Sequence, residues 1–487
     1  MLFNSGEFIF FFLPIVLAIH FLLSHRFQQG NIPMLFLVLA SLFYYGWWNP
    51  VYLLVIVGSM LANYLIGLNI IRLRNSAPVM TKWLLAVGIG ANLAVLGYFK
   101  YAGFILDNLT ALFHSNIDPI HVVLPLAISF FTFQQIAFLV DASRGQCDDY
   151  NFIHYCLFVT FFPQLIAGPI VHHGEMMPQF ARIDRSNRNE DFYVGISFFV
   201  FGLAKKVLIA DNVAQWATPV FGAADAGQSI DSAQAWMGAI AYSLQLYFDF
   251  SGYADMAIGC ARLFGIRLPL NFNSPYQATS IIEFWRRWHM TLSRFLRDYL
   301  YIPLGGNRKG TLHRHRNLMI TMLLGGLWHG AGWNFVIWGG LHGSYLVINH
   351  LFRAHCPSVV RLPRLLTQAF GWSLTLFCII IAWVFFRAES FDGASRMLSA
   401  MFLLSTGTAT SAVDDPERGW QLIIVFSIIA LFAPNTSRLL GYFGTENTDQ
   451  KAPLWRPNPV TGLLISVLFL ATAIRLSDIS EFLYFQF

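Results

Sequence analysis

Charged side chains are scarce in this sequence, and their scarcity excludes an ordinary soluble fold. Only 12% of the 487 residues are charged, whereas 56% are hydrophobic. Soluble globular chains carry charge on roughly a quarter of their residues. The chain has too little polar surface to face water on all sides, so we expect an integral membrane protein. Its net charge of +5 is small for this length, and we expect no nucleic-acid partner.

Cysteine is also scarce, and its spacing is irregular. The cysteines are Cys147, Cys156, Cys260, Cys356 and Cys378. This spacing predicts neither a disulfide framework nor a zinc site, and we interpret these residues as apolar filler. His172 and His173 lack a nearby carboxylate or cysteine ligand set in the sequence, so we expect no metal site there. The sequence also lacks a nucleophile elbow, a phosphate-binding loop and a dinucleotide fingerprint.

Long apolar stretches make up most of the chain, and several reach the ~20 residues that a helix needs to cross a bilayer. They are residues 6–24, 33–48, 51–71, 84–108, 121–140, 192–210, 234–258, 365–386, 420–434 and 458–474. They predict an all-α, polytopic transmembrane helical bundle. The first stretch lacks the flanks of a cleaved signal peptide and predicts a retained anchor. No linker or internal repeat is visible, so we expect residues 1–487 to form a single domain.

The positions of Lys and Arg predict the orientation in the membrane, because cytoplasmic loops carry an excess of both. Residues 207–261 contain no Lys or Arg, whereas residues 286–316 are rich in Arg. We therefore expect residues 214–233 to lie outside and residues 286–316 to lie in the cytoplasm. Basic residues after the first and third stretches place the N-terminus outside. The charges after residue 350 define no unique topology.

Residues 152–171 predict a re-entrant segment rather than a span. The sequence FFPQLIAGPI contains Pro163, Gly168 and Pro169, which would break a helix midway. Basic residues also lie on both sides of the segment, with Arg182 among those that follow it. Broken helices at membrane depth are tolerated where they line a cavity.

Residues 281–300 predict one amphipathic helix that lies in the membrane interface. Its apolar side chains recur at helical spacing, and charged side chains fall on the opposite face. The apolar residues are Ile281, Phe284, Trp285, Trp288, Leu292, Phe295, Leu296 and Tyr299. Helical spacing places His289 at the edge of this apolar stripe.

The segment 325–334, GGLWHGAGWN, carries a histidine within an apolar stretch. An ionisable side chain there is costly and marks a functional candidate. On a continuous helix, glycines such as Gly326 and Gly332 would leave the face beside His329 without side chains, with room for a substrate. Alternatively, Gly326 and Gly330 form a close-packing motif, and the histidine is structural. The spacing leaves both interpretations open.

Further polar groups at membrane depth lie in residues 244–259, LQLYFDFSGYADMAIG. Tyr253 and Asp255 stand there among other tyrosine, serine and aspartate residues, and the mixture predicts a hydrated cavity with substrate contacts. Hydrogen bonds between helices are the alternative explanation. His342 follows later in the chain, and we assign it no chemistry.

Several long motifs follow one another in a characteristic order. They are FFPQLIAGPI, LQLYFDFSGYADMAIG, residues 271–308, LLGGLWHGAGWNFVIWGGLHG, AWVFFRA and the terminal FLYFQF. In this order they resemble the membrane-bound O-acyltransferase (MBOAT) family, in the branch typified by alginate O-acetyltransferase. The resemblance implies a bowl of transmembrane helices crossed by a tunnel from the cytoplasm. It also implies that His329 and His289 match the two family histidines.

The resemblance further implies an acyl-CoA donor, which we expect to be acetyl-CoA, no bound cofactor, and a periplasmic partner of the SGNH-hydrolase type. An acetyl thioester needs a base to activate the attacking hydroxyl and donors to hold the oxyanion. His329 can supply the base, and Asn334, Trp333 or a backbone N–H can supply the donor. Arg286 and Arg287 can attract the phosphates of coenzyme A, although pairing with anionic lipid is an alternative.

We therefore expect a multi-pass enzyme of a bacterial inner membrane that serves O-acetylation of an extracytoplasmic polysaccharide such as alginate, cellulose or peptidoglycan. The sequence does not identify which polymer is the acceptor. The nearest alternative is D-alanyl transfer to a teichoic acid. A transporter of acyl groups is an alternative from another class, but it should show repeated halves or paired broken helices. Only one broken segment is visible in the sequence.

Overall fold

A computed structural model describes residues 1–27, 31–114, 122–147, 151–181, 188–355, 363–404, 412–442, 453–476 and 483. The regular structure of those residues is helical throughout, which confirms the all-α prediction. Cys356, Arg182 and all of the terminal FLYFQF except Leu483 lie outside the described residues.

Within the described residues, five helices are long and apolar enough to cross a membrane. They are Glu7–Arg26, Tyr52–Leu73, Pro78–Phe113, Arg188–Asp225 and Arg364–Arg387. Ile32–Gly46 and Pro459–Ala473 are shorter apolar helices. Each of these helices overlaps an apolar stretch of the sequence. Side chains such as Leu22 and Leu54 are exposed on them, as is expected of helix faces that lipid covers.

Proline and short polar side chains determine where many of the helices begin. Pro78, Pro416 and Pro459 each occupy the first residue of a helix, where the missing N–H would have no partner in the helix. The side chain of Asn458 accepts a hydrogen bond from the N–H of Thr461, and the Thr461 hydroxyl accepts one from the N–H of Asn458. This capping box satisfies two backbone donors at the start of the last described helix.

Contacts between Cα atoms divide the chain into two compact units. The first unit comprises Met1–Val200 and Tyr253–Pro269, and the second comprises Phe201–Gly252, Leu270–Tyr442 and Lys451–Phe487, as far as these ranges are described. The single domain expected for residues 1–487 stays a prediction.

Polar side chains connect helices inside the first unit. Its helices are Glu7–Phe12, Leu13–Arg26, Ile32–Gly46, Tyr52–Leu73, Pro78–Leu96, Gly97–Tyr101, Ala102–Phe113, Ile128–Ser143, Phe152–Thr160, Phe162–Leu165, His173–Ala181, most of Arg188–Ala204 and the part of Ser232–Leu263 that begins at Tyr253. Asn92 donates a hydrogen bond of 2.6 Å to Asn63, and Gln135 donates one of 3.1 Å to Ser59. Such bonds join membrane helices because lipid cannot satisfy the polar groups.

The segment 152–171 is broken, as its prolines and glycine predict. One helix ends at Thr160, the short helix Phe162–Leu165 follows, and the chain then leaves the helical conformation. Every residue from Tyr155 to Val171 is buried. The break therefore lies inside protein, where its backbone is shielded from lipid. The re-entrant placement of the segment in the membrane stays a prediction.

The second unit contains the remaining helices and a buried cluster of charges. Its helices are Lys205–Ala210, Asp211–Asp225, Ser232–Leu263 as far as Gly252, Pro275–Gln277, Ile281–Arg287, Met290–Leu296, Arg297–Tyr301, Thr311–His329, Trp333–His355, Arg364–Arg387, Phe391–Met401, Pro416–Phe432, Thr436–Leu440 and Pro459–Ala473. Lys206 Nζ lies 2.8 Å from Asp211 and 2.7 Å from Asp249. The two carboxylates compensate the charge of an ammonium group that is buried.

The prediction of one amphipathic helix over residues 281–300 is wrong. A helix ends at Arg287, the backbone is extended at Trp288 and left-handed at His289, and a new helix begins at Met290. His289 is completely buried and does not lie at the edge of an apolar stripe. The apolar spacing continues across the break, so periodicity alone could not reveal it.

Candidate active site

His329 is the last residue of the helix Thr311–His329, and the chain turns directly after it. Gly330 is extended, and the next helix begins at Trp333. His329 therefore stands at the tip of a tight helical hairpin. Gly332 belongs to the turn, so the continuous helical face on which it was expected beside the imidazole does not exist.

Glycines allow the two helices of this hairpin to approach each other. A Cβ on Gly326 would collide with the carbonyl oxygen of Phe335, and a Cβ on Gly339 would collide with that of Met322. The structure therefore supports the close-packing interpretation of these glycines. The expectation that Gly326 leaves room for a substrate beside His329 is wrong, because the neighbouring helix fills that space.

Aromatic rings enclose the His329 side chain. Its ring centroid lies 4.9 Å from that of Trp328, 5.1 Å from that of Trp338 and 5.2 Å from that of Phe386. Only 7% of the residue is exposed. Such an enclosure shields the imidazole from bulk water and strengthens its electrostatic interactions with a reacting group.

His289 adopts a left-handed backbone conformation, with φ 43°, that residues other than glycine rarely adopt. The N–H of Met290 donates a hydrogen bond of 3.0 Å to the carbonyl oxygen of Asn271. On the other side, the N–H of Asn273 donates one of 2.9 Å to the carbonyl oxygen of Arg287. A conformation of this kind costs on the order of 1–3 kcal/mol and is found preferentially at functional sites.

The Asn271 side chain fixes the proton of the His289 ring. Asn271 Oδ1 accepts hydrogen bonds from the Thr291 hydroxyl at 2.9 Å and from the Thr291 N–H at 3.4 Å. It is therefore an acceptor for His289 Nδ1, which lies 3.0 Å away and must carry the hydrogen. The lone pair of the neutral ring is then on Nε2. Burial lowers the pKa of His289 to about 3, so the ring is neutral at physiological pH.

The structure brings the two predicted catalytic histidines together. The ring centroids of His289 and His329 are 6.4 Å apart, and the ring of Trp328 lies within 6.3 Å of both. Two imidazoles at this separation can act on one small reacting group held beside them.

His342 belongs to the same aromatic cluster, and sequence reasoning missed it. Its ring centroid lies 4.7 Å from that of Trp338, which also contacts His329, and 5.2 Å from that of Trp285. The residue is completely buried. The spacing of four residues between Trp338 and His342, one helical turn, was the signal that could have found it.

Trp333 and Asn334 open the second helix of the hairpin. Trp333 is 59% exposed, whereas Asn334 is buried. The Asn334 side-chain nitrogen donates a hydrogen bond of 2.8 Å to the carbonyl oxygen of Ala388. That bond fixes the start of the helix beside His329.

The two arginines expected to bind phosphate differ in their surroundings. Arg286 is exposed. Arg287 forms an ion pair with Glu283 at 2.7 Å. Because this carboxylate partly compensates the charge of Arg287, Arg286 is the stronger candidate for an anionic ligand.

Tyr253 and Asp255 lie in the first unit. Tyr253 is buried and stacks on Phe3, with ring centroids 4.6 Å apart. Asp255 is also buried. Their role in substrate contact stays a prediction.

Comparison with known proteins identifies the family of the chain. The family model described as "MBOAT, membrane-bound O-acyltransferase family" matches residues 128–388, a range that includes both His289 and His329. The chain belongs to the membrane-bound O-acyltransferase family. It is therefore an O-acyltransferase and a membrane protein, and the predicted fold class is confirmed.

Curated relatives support the predicted branch of this family. A peptidoglycan O-acetyltransferase of Helicobacter pylori is 41% identical over 100% of this chain and 98% of the relative. A probable alginate O-acetylase AlgI of Pseudomonas putida is 40% identical over 100% of both chains. A teichoic acid D-alanyltransferase of Bacillus subtilis is 26% identical over 52% of this chain and 69% of the relative. The predicted likeness to alginate O-acetylases is confirmed.

The interpretation of Cys147 as apolar filler is wrong. His173 has both a carboxylate and a cysteine beside it, because Nδ1 lies 3.2 Å from Asp141 and Nε2 lies 2.9 Å from Cys147. Cys147 is therefore more than apolar filler. In the described part of the chain, no group of three or more His, Cys, Asp or Glu residues is arranged to hold a metal ion.

Proposed function

We propose that this enzyme passes acetyl groups from a cytoplasmic acyl-CoA thioester, acetyl-CoA, across the membrane for O-acetylation of an extracytoplasmic polysaccharide. His329 is the general base at the point of transfer, and His289 assists it. The enzyme crosses the inner membrane of a bacterium several times. The reaction needs no bound cofactor.

The juxtaposition of the two imidazole rings, 6.4 Å apart in an aromatic enclosure, carries this proposal. Attack of a hydroxyl on a thioester requires removal of the hydroxyl proton, and a neutral imidazole can accept that proton. Burial lowers the pKa of His289 to about 3, so this ring is a weak base; its Nε2 lone pair accepts a hydrogen bond that positions the hydroxyl, and His329 takes the proton. The surrounding rings limit access of water that would hydrolyse the acyl group.

The helix that begins at Trp333 can stabilise the oxyanion that forms on the thioester carbonyl. Backbone N–H groups in the first turn of a helix point out of its end and bind anions. We assign the oxyanion contact to these groups and to the Trp333 side chain. Asn334 holds the helix start in place through its hydrogen bond to Ala388, and it acts as a positioning residue.

The donor and the acceptor lie on opposite sides of the membrane in this proposal. Arg286 contributes to binding the phosphates of coenzyme A, because an exposed guanidinium is suited to phosphate. Arg287 contributes less to this binding, because it forms an ion pair with Glu283. A periplasmic partner of the SGNH-hydrolase type completes transfer to the polymer.

The names of the relatives support an acetyl group and a cell-envelope polymer. The relatives that match the whole chain are named for O-acetylation of peptidoglycan and of alginate. The relative named for D-alanyl transfer matches about half of the chain, at 26% identity. Acetyl transfer is therefore favoured over D-alanyl transfer.

Reconstitution of the purified full chain in lipid vesicles, with an SGNH-type partner supplied on the side opposite to acetyl-CoA, tests this function. We expect release of free coenzyme A from acetyl-CoA that carries a labelled acetyl group, and transfer of the label to an alginate or peptidoglycan oligosaccharide on the opposite side. Heat-denatured enzyme is the control. Transfer from a D-alanyl carrier-protein thioester, with no turnover of acetyl-CoA, would overturn the proposal in favour of the alternative.

A further inference from the structure

A second group of reactive side chains lies in the first unit, among residues that the proposed function does not use. Cys147 Sγ lies 2.9 Å from His173 Nε2, and His173 Nδ1 lies 3.2 Å from Asp141 Oδ2. All three residues are at least 96% buried. The order thiol, imidazole, carboxylate is that of nucleophile, base and orienting group in covalent acyl transfer.

The end of one helix creates this arrangement. After the helix that carries Asp141, Gly145 adopts a left-handed conformation with φ 76°, and the N–H of Gln146 donates a hydrogen bond of 2.9 Å to the carbonyl oxygen of Asp141. This bonding is typical of a helix that ends at a left-handed glycine. The turn brings Cys147 back beside the Asp141 side chain. Arg74 Nη1 donates a bond of 2.8 Å to the Cys147 carbonyl oxygen and holds the segment from another helix.

Oxygen atoms approach both ring nitrogens of His173. Asp141 Oδ2 faces Nδ1, and the carbonyl oxygen of Gln146 lies 3.2 Å from Nε2. An imidazole nitrogen beside a thiol can accept the thiol proton, and the pair then consists of a thiolate and an imidazolium cation. An adjacent cation stabilises the thiolate form of cysteine, which is the nucleophilic form. The separation of 2.9 Å between Cys147 Sγ and His173 Nε2 is short enough for direct proton transfer.

We propose that Cys147 is a second acyl-accepting nucleophile of this enzyme, with His173 as its base and Asp141 as the positioning residue. The Cys147 thiolate attacks the carbonyl carbon of a thioester donor. A new Sγ–C bond forms, the C–S bond of the donor breaks, and the departing thiolate takes the proton from His173. The products are an acyl thioester on Cys147 and a free thiol, so the step needs no oxidant or reductant. This inference rests on the proposed function, because it uses the same thioester donor.

Acyl labelling of the purified full chain tests the inference. After incubation with acetyl-CoA carrying a labelled acetyl group, we expect mass spectrometry to find the label on Cys147 and neutral hydroxylamine to remove it. Cys147→Ser should abolish this label, and His173→Gln should reduce its rate of appearance at least about 10-fold, within the range of general-base assistance. Cys156→Ser is the matched control and should leave the label unchanged, because Cys156 is a buried cysteine for which the described residues give no imidazole contact.

A second measurement needs neither the acyl donor nor a correctly folded variant, because it uses the native chain. In the native chain, we expect the small alkylating reagent iodoacetamide to modify Cys147 at least about 10-fold faster than Cys156, because thiolates react and thiols do not. Equal rates of alkylation would overturn the inference.

The acyl-labelling experiment separates the inference from the proposed function. Absence of label from Cys147 in a preparation that acetylates the oligosaccharide would overturn the inference and leave the proposed function intact. A labelled Cys147 in a preparation that acetylates no oligosaccharide would support the inference and contradict the proposed function.

Discussion

A single residue sets the tautomer of the His289 ring. Asn271 directs the proton of His289 to Nδ1, whereas aromatic rings dominate the surroundings of His329. A base oriented by a third group is the usual arrangement around a reactive centre. We therefore expect Asn271 to act through His289, as a positioning residue.

Replacement of Asn271 tests this role. Asn271→Ala removes the acceptor that holds the Nδ1 hydrogen, so both ring tautomers become populated. We expect kcat for acetyl transfer to fall roughly 10-fold or more with little change in KM for the donor, a part of the 10²–10⁴-fold available to general-base assistance. Asn271→Asp keeps an acceptor oxygen and should retain more activity. Equal losses in both variants would show that Asn271 has only a structural role.

Arg286 and Arg287 provide a matched pair for the donor site. Neutralising both residues should raise KM for acetyl-CoA more than it lowers kcat, because uniform binding is lost. We expect Arg286→Gln to account for most of this effect, since Arg287 is paired with Glu283. Steady-state kinetics at low salt measure the difference, because salt screens exposed charges. If neither single variant nor the double variant changes KM, these arginines serve to anchor the protein to lipid.

The sequence was sufficient to find His329 and His289, but it did not reveal the side chains that contact the buried histidines. An ionisable residue in an apolar stretch is visible in a sequence, and so is a family motif. The acceptor role of Asn271 and the contact between Cys147 and His173 arise from turns that bring together residues distant in the chain. Spacing therefore could not predict them.

At the scale of elements, the helical hairpin positions His329. Its two helices lie close enough that the backbone of one fills the space beside the glycines of the other. Bulk at these positions would push the helices apart and move the imidazole. The shape of the site is therefore linked to the stability of the hairpin.

Two adjacent glycines allow a direct test of this packing. A Cβ on Gly339 would collide with the carbonyl oxygen of Met322, whereas one on Gly340 would meet only the Leu323 side chain at 3.6 Å. We expect Gly339→Ala to destabilise the protein by about 1–3 kcal/mol through overpacking. Gly340→Ala should be neutral or stabilising by up to about 1 kcal/mol, because alanine favours a helix. Thermal unfolding in detergent measures both, and equal melting temperatures would contradict the close-packed hairpin.

Apolar stretches predicted the long helices well, because bilayer thickness sets their length. The same reasoning failed over residues 281–300, where a left-handed residue interrupts the helix without changing the spacing of apolar side chains. It also failed around His329, where a continuous helix was expected. The helix ends at His329, and the next residue, Gly330, is extended. Both breaks depend on backbone conformation, which hydrophobic periodicity does not report.

At the scale of the whole molecule, the proposed function requires the chain to face both sides of the membrane. The composition predicted a membrane protein because the chain has so little charge, and family membership confirms it. The orientation in the membrane stays a prediction, and it rests on the positions of Lys and Arg alone.

Labelling of engineered cysteines tests this orientation. A cysteine at Ser229 should react with membrane-impermeant reagents from outside, whereas one at Lys309 should react only after permeabilisation, by the positive-inside rule. Each engineered cysteine is introduced into a chain whose native cysteines are replaced by serine. If the cysteine at Ser229 reacted only with inward-facing reagents, the predicted orientation would be wrong.

The most direct test of the central claim is acetyl transfer by His329→Ala in reconstituted vesicles, with its amount in the membrane measured in parallel. General-base assistance is worth about 10²–10⁴-fold, so we expect transfer to fall by at least about 100-fold at a near-normal protein level. His289→Ala should also be impaired. His355→Ala is the control, because His355 is exposed, whereas His342 is buried in the same cluster. Near-normal transfer by His329→Ala, or a loss explained by disappearance of the protein, would contradict a catalytic role for this imidazole.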